Sequence, residues 1–364
     1  MRAGCLATVT IVLVWLYHPP ASAEPYLAVA DGQKCTTCHV SDTGGGMRNV
    51  YGNVFSRSLL PAHTLGAKNP EAFIWTGEML SFLKLGGNVR GSWQRTEVPN
   101  QETVSDSDLD RASIYFGVEL IKNKLLLYVD EEFGQGSNFT REAWVRWRIT
   151  DKLYVRAGQL YLPFGWRLED DSAYIRQVTG INFTTADDGV ELGLEAGPWS
   201  AQFAVSEGTA GGPEVDNGKQ YSLSASYTKP KWRIGSSLNF NDSSFGDREL
   251  YGVFAGYRTG PVAWLAEVDY IVDMGFPEGR RSQMATLLEG NWRYRKGHNL
   301  KITYEHLNPD DTIDEDQQNR YSAVWEYFPI QNLQVRLGAR LYDGIPQNDV
   351  QNRTDLFAQL HAFF

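Results

Sequence analysis

The sequence predicts an all-β protein: an antiparallel transmembrane barrel of about sixteen strands, preceded by a short segment that carries a cofactor motif. Three observations predict it. Apolar residues recur at every second position from residue 81 to the end. Short turns alternate with longer polar loops. The chain is 13% aromatic, with 11 Trp, 18 Tyr and 35 Gly, and its hydrophobicity is spread evenly. Beyond the leader no stretch approaches the roughly 18 to 20 uninterrupted apolar residues of a spanning helix.

The first 23 residues read as a cleavable signal peptide: Arg2, an apolar run over 6–17, then Pro19-Pro20 and Ala21-Ser22-Ala23 as an AxA site. Cys5 precedes the apolar run, which argues against a lipid-anchored cysteine at the cleavage point, so the mature chain is expected to start near Glu24. Removing the leader takes away Arg2 and no other charge, so the formal charge of -10 becomes -11, which argues against a nucleic-acid partner.

Within the barrel region, Leu83, Leu85, Gly87, Val89, Gly91 and Trp93 are expected on one face, with Lys84, Asn88, Arg90, Ser92 and Gln94 on the other. The same alternation places strands near 82–95, 109–121, 124–133, 139–149, 152–161, 188–196, 199–207 and 219–228. Eight more follow near 231–241, 248–258, 261–272, 282–296, 299–307, 319–328, 332–342 and 354–364. Short turns fall at Lys122-Asn123, Thr150-Asp151, Gly197-Pro198, Lys229-Pro230, Gly260-Pro261, Lys296-Gly297 and Pro329-Ile330. Longer polar stretches, expected as outer loops, cover 96–108, 134–138, 162–187, 208–218, 242–247, 273–281, 308–318 and 343–353. An even strand count with alternating turn lengths is the pattern of a barrel in a bacterial outer membrane.

Two local strings carry resemblances. Leu360-His361-Ala362-Phe363-Phe364, with its aromatic last residue, resembles the C-terminal assembly signal of outer-membrane barrels. RAGQLYLPFGWRL at 156–168, with Asp170, Asp171 and Arg176 beyond, resembles the strand and loop opening of phosphate-selective and related general porins. A barrel of this size leaves an aqueous lumen, which the loop 162–187 is long enough to narrow; the alternative is an external loop. Acidic clusters are expected in the outer loops: Asp106, Asp108 and Asp110; Glu169, Asp170 and Asp171; Asp310, Asp311, Asp314, Glu315 and Asp316. They read first as solvated charges and second as a means of concentrating metal cations at the mouth.

After leader removal the only cysteines are Cys35 and Cys38, both in CTTCH at 35–39. Two thiols one helical turn apart can each add to a haem vinyl group, and His39 then lies beneath the iron as proximal ligand. The alternatives are a chance CxxC, a redox dithiol or half a zinc site; zinc needs four ligands and a thioredoxin-like dithiol needs a βαβ setting. One covalent haem c is therefore expected on the segment 24–80, which is too short to bury a core alone. It is expected to plug the mouth or lumen of the barrel formed by 81–364. Gly44-Gly45-Gly46 suits either a close backbone approach or a plain flexible loop. For the sixth iron ligand the candidates are His63, which is preferred, Met47 and His361; otherwise the iron is five-coordinate. His298, in a periplasmic turn, and His306, facing lipid by parity, are set aside.

A single N-terminal CxxCH ahead of a porin-sized barrel resembles the fused cytochrome-porins of iron-oxidising bacteria. The stretch 26–34 departs from that family's approach to its motif. The resemblance implies electron transfer between a periplasmic electron-transfer protein and an extracellular redox partner or metal ion, ferrous iron included, across outer-membrane lipid. A second reading is a transport porin for small solutes with the haem segment as structural plug or sensor. A haem-dependent enzyme ranks third, because no acid/base constellation stands out.

Since the period-two strands carry their own lipid-facing surface, replacing Cys35 and Cys38 by Ala should leave a barrel that still shifts on unheated gels. Loss of the barrel from the membrane with assembly factors intact would contradict the division at residue 80.

Overall fold

The computed structural model describes residues 24–65, 75–134, 137–212 and 216–364. The leader at 1–23 lies outside the described residues, as do 135–136 and 213–215 in the expected loops 134–138 and 208–218. Three short helices open the chain: α1 (Pro25–Asp31), α2 (Cys35–Cys38) and α3 (Val50–Ser58). The strands are β1 (Glu78–Leu80), β2 (Leu83–Glu97), β3 (Val104–Ile121), β4 (Leu125–Gly134), β5 (Ser137–Arg148) and β6 (Leu153–Leu160). After α4 (Tyr174–Gln177) come β7 (Asp187–Ala196), β8 (Trp199–Ser206), β9 (Gln220–Lys229), β10 (Trp232–Asn241) and β11 (Arg248–Thr259). The last six are β12 (Val262–Phe276), β13 (Gly279–Arg295), β14 (His298–Asn308), β15 (Gln318–Tyr327), β16 (Leu333–Asp343) and β17 (Thr354–Phe363).

Sixteen strands, β2 to β17, form one closed antiparallel barrel in which each pairs with its neighbours in sequence. Closure joins β17 to β2, from Thr354 opposite Glu97 to Phe363 opposite Asn88. The alternation predicts which way each side chain points. Val89, Trp93, Leu192, Val253, Leu288, Ile302 and Leu360 are exposed on the outside, whereas Asn88, Arg90, Glu191, Glu289, Lys301 and His361 are buried within. That is a lipid-facing belt around a polar lumen. At the short-turn rim the aromatic residues cluster: Trp199 lies 4.7 Å from Tyr227, and His298 stacks on Tyr327 at 4.4 Å between ring centres. Such a girdle marks the lipid–water interface.

Two expected outer loops are largely strand. Over 273–281, β12 continues to Phe276 and β13 starts at Gly279, leaving Pro277-Glu278 as the turn. Polar residues disguise these strand ends because they stand beyond the lipid belt, where no apolar face is required; Arg281 lies 3.5 Å from the centre of the Phe276 ring. Likewise β2 and β3 extend past the belt, so Asp106 and Asp108 lie on β3 instead of in the loop 96–108, and Asp110, within the expected strand 109–121, lies on β3 with them. Asp110 is the extra residue of a bulge, since Arg90 pairs with Arg111 and Gly91 with Leu109.

The second acidic cluster lies inside the barrel, where Glu169 is buried and Asp170 and Asp171 keep part of their exposure. Residues 161–186, between β6 and β7, run inside the barrel, and Leu162, Phe164, Trp166, Leu168, Ile175 and Phe183 are buried there. The wall fixes this loop by charge. Arg90 reaches Glu169 at 2.8 Å and Arg111 reaches it at 3.3 Å, while Arg320 and Arg340 hold Asp170 at 3.0 and 3.1 Å. Burial alone would raise the Glu169 carboxyl, but Arg90 and Arg111 outweigh it and hold it well below the usual range. Backbone bonds complete the seat: Trp166 N donates to Glu267 at 2.7 Å and Tyr174 N to Glu305 at 2.7 Å.

Arg320→Ala takes from the buried Glu305 its cation and leaves Asp170 with Arg340 alone, a change that costs on the order of 3 to 5 kcal/mol. The expected outcome is faster proteolysis at Arg167 and Arg176 with the barrel still folded. Unchanged cleavage would remove charge pairing as the reason the loop stays inside.

Candidate functional site

Residues 24–65 lie against the inward face near the short-turn rim. On α1, Pro25 fits the first turn, Gly32 ends the helix in the left-handed region, and Tyr26, Leu27, Val29 and Ala30 are buried. Specific pairs tie the segment to the wall: Glu24 to Lys301 at 3.0 Å, Asp31 to Arg293 at 2.8 Å, Lys34 to Glu195 at 2.8 Å and Asp42 to Arg146 at 2.7 Å. Ala62 N donates to Phe328 O at 2.8 Å, so the segment leaves along the rim of β15.

The CTTCH string is shaped by one asparagine. Asn49 caps α3 by accepting from Gly52 N at 3.0 Å, and its Nδ2 donates to the carbonyls of Thr36, Thr37 and His39 at 3.1, 3.1 and 3.3 Å. Its backbone N donates to Cys38 O at 2.9 Å. Between these anchors residues 39–48 form a narrow loop closed by Val40 N donating to Met47 O at 2.9 Å and by a bridge between His39 and Arg48. Gly44, Gly45 and Gly46 all have positive φ, and a Cβ at Gly45 would stand 2.7 Å from Phe183. Gly45 thus permits close approach to the lumen loop, and Gly46 close approach to Tyr128 of the wall. Gly52 does the same for α3, since any side chain there would strike the Cys38 carbonyl.

Cys35, Cys38 and His39 line one cavity, partly open to solvent, with Tyr51, Phe55 and Trp166 among its walls. Both thiols are free, and Cys35 Sγ accepts from Arg233 Nη1 at 3.4 Å. Among the described residues no three His, Cys, Asp or Glu side chains converge as a metal site, so these three share a cavity without meeting at a point. His39 is 8% exposed, and its Nδ1 is buried with no hydrogen-bond partner among the described residues. Burial, reinforced by the nearby Arg48 guanidinium, pushes His39 down to about 3, which leaves a neutral imidazole. Burial also pushes the Cys38 thiol up to about 11, against the pull of Arg48.

The other candidate ligands are elsewhere. Met47 is 1% exposed, and its side chain packs on the barrel wall against Gly86 and Gly117. His63 is exposed at the short-turn rim, its N donating to Pro329 O at 3.1 Å. His361 is fully buried on β17, with Nδ1 3.1 Å from Gln334 Oε1. None of the three lines the cavity of Cys35, Cys38 and His39. Sequence reasoning missed Asn49, Gly52, Trp166 and Arg233. Asn49 was findable as a cap before the i, i+4 pair Tyr51 and Phe55; Trp166 and Arg233 reach the site only through the tertiary fold.

Fold and site together define a porin-type membrane barrel with a cavity inside its lumen lined by two thiols and an imidazole. No family profile matches the sequence, and no curated protein matches it. Solved structures do match in fold. One is the outer-membrane protein OmpT of Vibrio cholerae in a loop L8 deletion form, at 14% identity and a TM-score of 0.60, covering 78% of this chain and 99% of that one. Another is an anion-selective porin from Comamonas acidovorans, at 12% identity and a TM-score of 0.60, again covering 78% and 99%. A third is Salmonella typhi OmpF in complex with daunomycin, at 13% identity and a TM-score of 0.59, covering 78% and 97%. The barrel therefore has the architecture of bacterial outer-membrane porins.

Asn49→Ala removes both the cap, about 1 kcal/mol, and the three donated bonds that shape CTTCH. Asn49→Asp restores the cap alone. Amide exchange over 35–58 should therefore rise in both variants, more in Ala. If Asn49→Asp matches the wild type, the donated bonds contribute nothing.

Proposed function

We propose that the chain is an outer-membrane c-type cytochrome-porin that carries electrons between the periplasm and an extracellular donor or acceptor. The observation that carries this reading is the shared cavity of Cys35, Cys38 and His39. The residues fit a covalent haem: the thiols stand one turn apart on α2, the imidazole is neutral with an unpartnered ring nitrogen, and aromatic side chains supply apolar walls. The bound haem would supply a one-electron couple; every other function belongs to the chain.

Those functions are orientation, insulation and access. Asn49 fixes the backbone of the motif, and the Asp42–Arg146 and Lys34–Glu195 pairs fix the segment in the lumen. The loop 161–186 covers the outward side. His39 also lines a void that reaches Lys84, Asn123, Lys124 and Asp151 at the short-turn rim, which gives a periplasmic partner its approach. Toward the outside, His39 borders a polar void with Arg90, Arg111 and Glu169, beneath the mouth where a ferrous ion or other reductant would give up its electron.

A second reading, a solute porin with an appended haem segment, is favoured by the matched structures, two of which are themselves described as an anion-selective porin and as OmpF with a bound small molecule. Proteoliposomes separate the two. With an enclosed redox dye and an external iron reagent, the wild type should pass electrons while admitting sucrose slowly, and the Cys35→Ala/Cys38→Ala variant should pass none. Rapid sucrose entry with no electron transfer that depends on the two cysteines would establish the porin reading instead.

A further inference from the structure

The residue at the head of the described chain raises a question that electron transfer does not answer. Glu24 is only 5% exposed. Its carboxylate sits inside the barrel, 3.0 Å from Lys301 and 3.3 Å from Arg336. The same two cations serve two more carboxylates: Lys301 is 3.9 Å from Glu289 and 3.8 Å from Glu326, and Arg336 is 3.3 Å from Glu326. Three carboxylates thus share two cations, leaving one negative charge in excess at a buried site, where an uncompensated charge is costly. Tyr26, two residues on, donates to Glu326 at 2.9 Å and fixes the start of α1 against this cluster.

Glu24 also borders a void lined by Leu168, Ala173, Glu289 and Thr303 and by Arg320 and Arg340, whose charges Asp170 and Glu305 meet.

We infer that cleavage before Glu24 does more than release an export signal: the α-ammonium it creates is the third cation of the Glu24–Glu289–Glu326 cluster, and its burial seats residues 24–65 in the lumen. Proteolytic processing is then the step that lets the segment fill the lumen, and it has to yield a terminus at residue 24. An uncleaved or extended chain would keep its barrel and leave the segment unseated. This goes beyond the electron-transfer reading and does not depend on haem.

The test uses full-length protein purified in detergent. Intact mass and N-terminal sequencing should give Glu24 as the first residue. Acetylation at pH 7 with the sulfosuccinimidyl ester of acetate should modify the Glu24 amine more than about tenfold more slowly than exposed Lys122 and Lys124, because the amine reacts only through local opening. Heat-unfolded protein should lose that protection. A variant with Gly-Ser-Gly-Ser inserted between Ala23 and Glu24 should be labelled rapidly and nicked by trypsin at Lys34 at least about tenfold faster, with the barrel still heat-modifiable. If that variant fails to assemble, the wild-type labelling still decides. A mature terminus elsewhere, a Glu24 amine as reactive as Lys122, or an insertion that leaves nicking at Lys34 unchanged would overturn the inference.

Discussion

A closed barrel wall that carries ionised side chains inward must find partners for them, and the interior of this protein follows from that requirement. In a wide aqueous pore, water would solvate Arg90, Arg111, Arg146, Lys301, Arg320 and Arg336. Here they are buried, so each needs an opposite charge in contact. Part of the supply is cross-strand, as with Arg156 between Glu142 and Glu191, both fully buried. The rest comes from two inserted pieces: the loop 161–186 with Glu169 and Asp170, and the N-terminal segment with Glu24 and Asp42. Removing either piece would strand charges on the wall. Filling of the lumen is thus an electrostatic matter first and a packing matter second.

The cavity at CTTCH exists because these two pieces do not quite meet. Trp166 enters from the loop side and stacks edge-on to Phe254 of the wall at 5.1 Å between ring centres, while Tyr51 and Phe55 enter from α3. What remains between them is lined by these aromatic rings and by Arg48, Arg167 and Arg233, and it opens toward both thiols. His39 lies at the junction, bordering this cavity and the polar voids toward each end of the barrel. Its backbone position is set through Asn49 and the neighbouring glycines. An imidazole held neutral with an unpartnered buried nitrogen is expensive to keep and is the kind of local exception that functional sites retain.

The barrel was legible in the sequence because strand periodicity and lipid exposure are local properties. Each of the sixteen segments could be read from its own alternation, and the short turns from Gly-Pro, Lys-Pro and Lys-Asn pairs. CTTCH was legible because its spacing is itself the chemistry. What failed to show was anything fixed by a partner far along the chain. The run Glu169-Asp170-Asp171 looks like Asp310-Asp311 in sequence, yet only the first meets Arg90, Arg111, Arg320 and Arg340, on strands up to 170 positions away. Met47 is near His39 in sequence, but the narrow loop 39–48 turns its side chain to the wall. Asp273 to Arg281 read as loop because polarity was taken for irregularity, when it marked strands that leave the membrane.

The most direct test of the cavity assignment is the optical spectrum of the purified protein in the oxidised and dithionite-reduced states, repeated on the polypeptide after acid–acetone extraction. Haem bound through Cys35 and Cys38 predicts sharp reduced bands and colour that stays with the extracted chain. A protein without haem absorbance, or one whose colour passes wholly into the acetone, would contradict it.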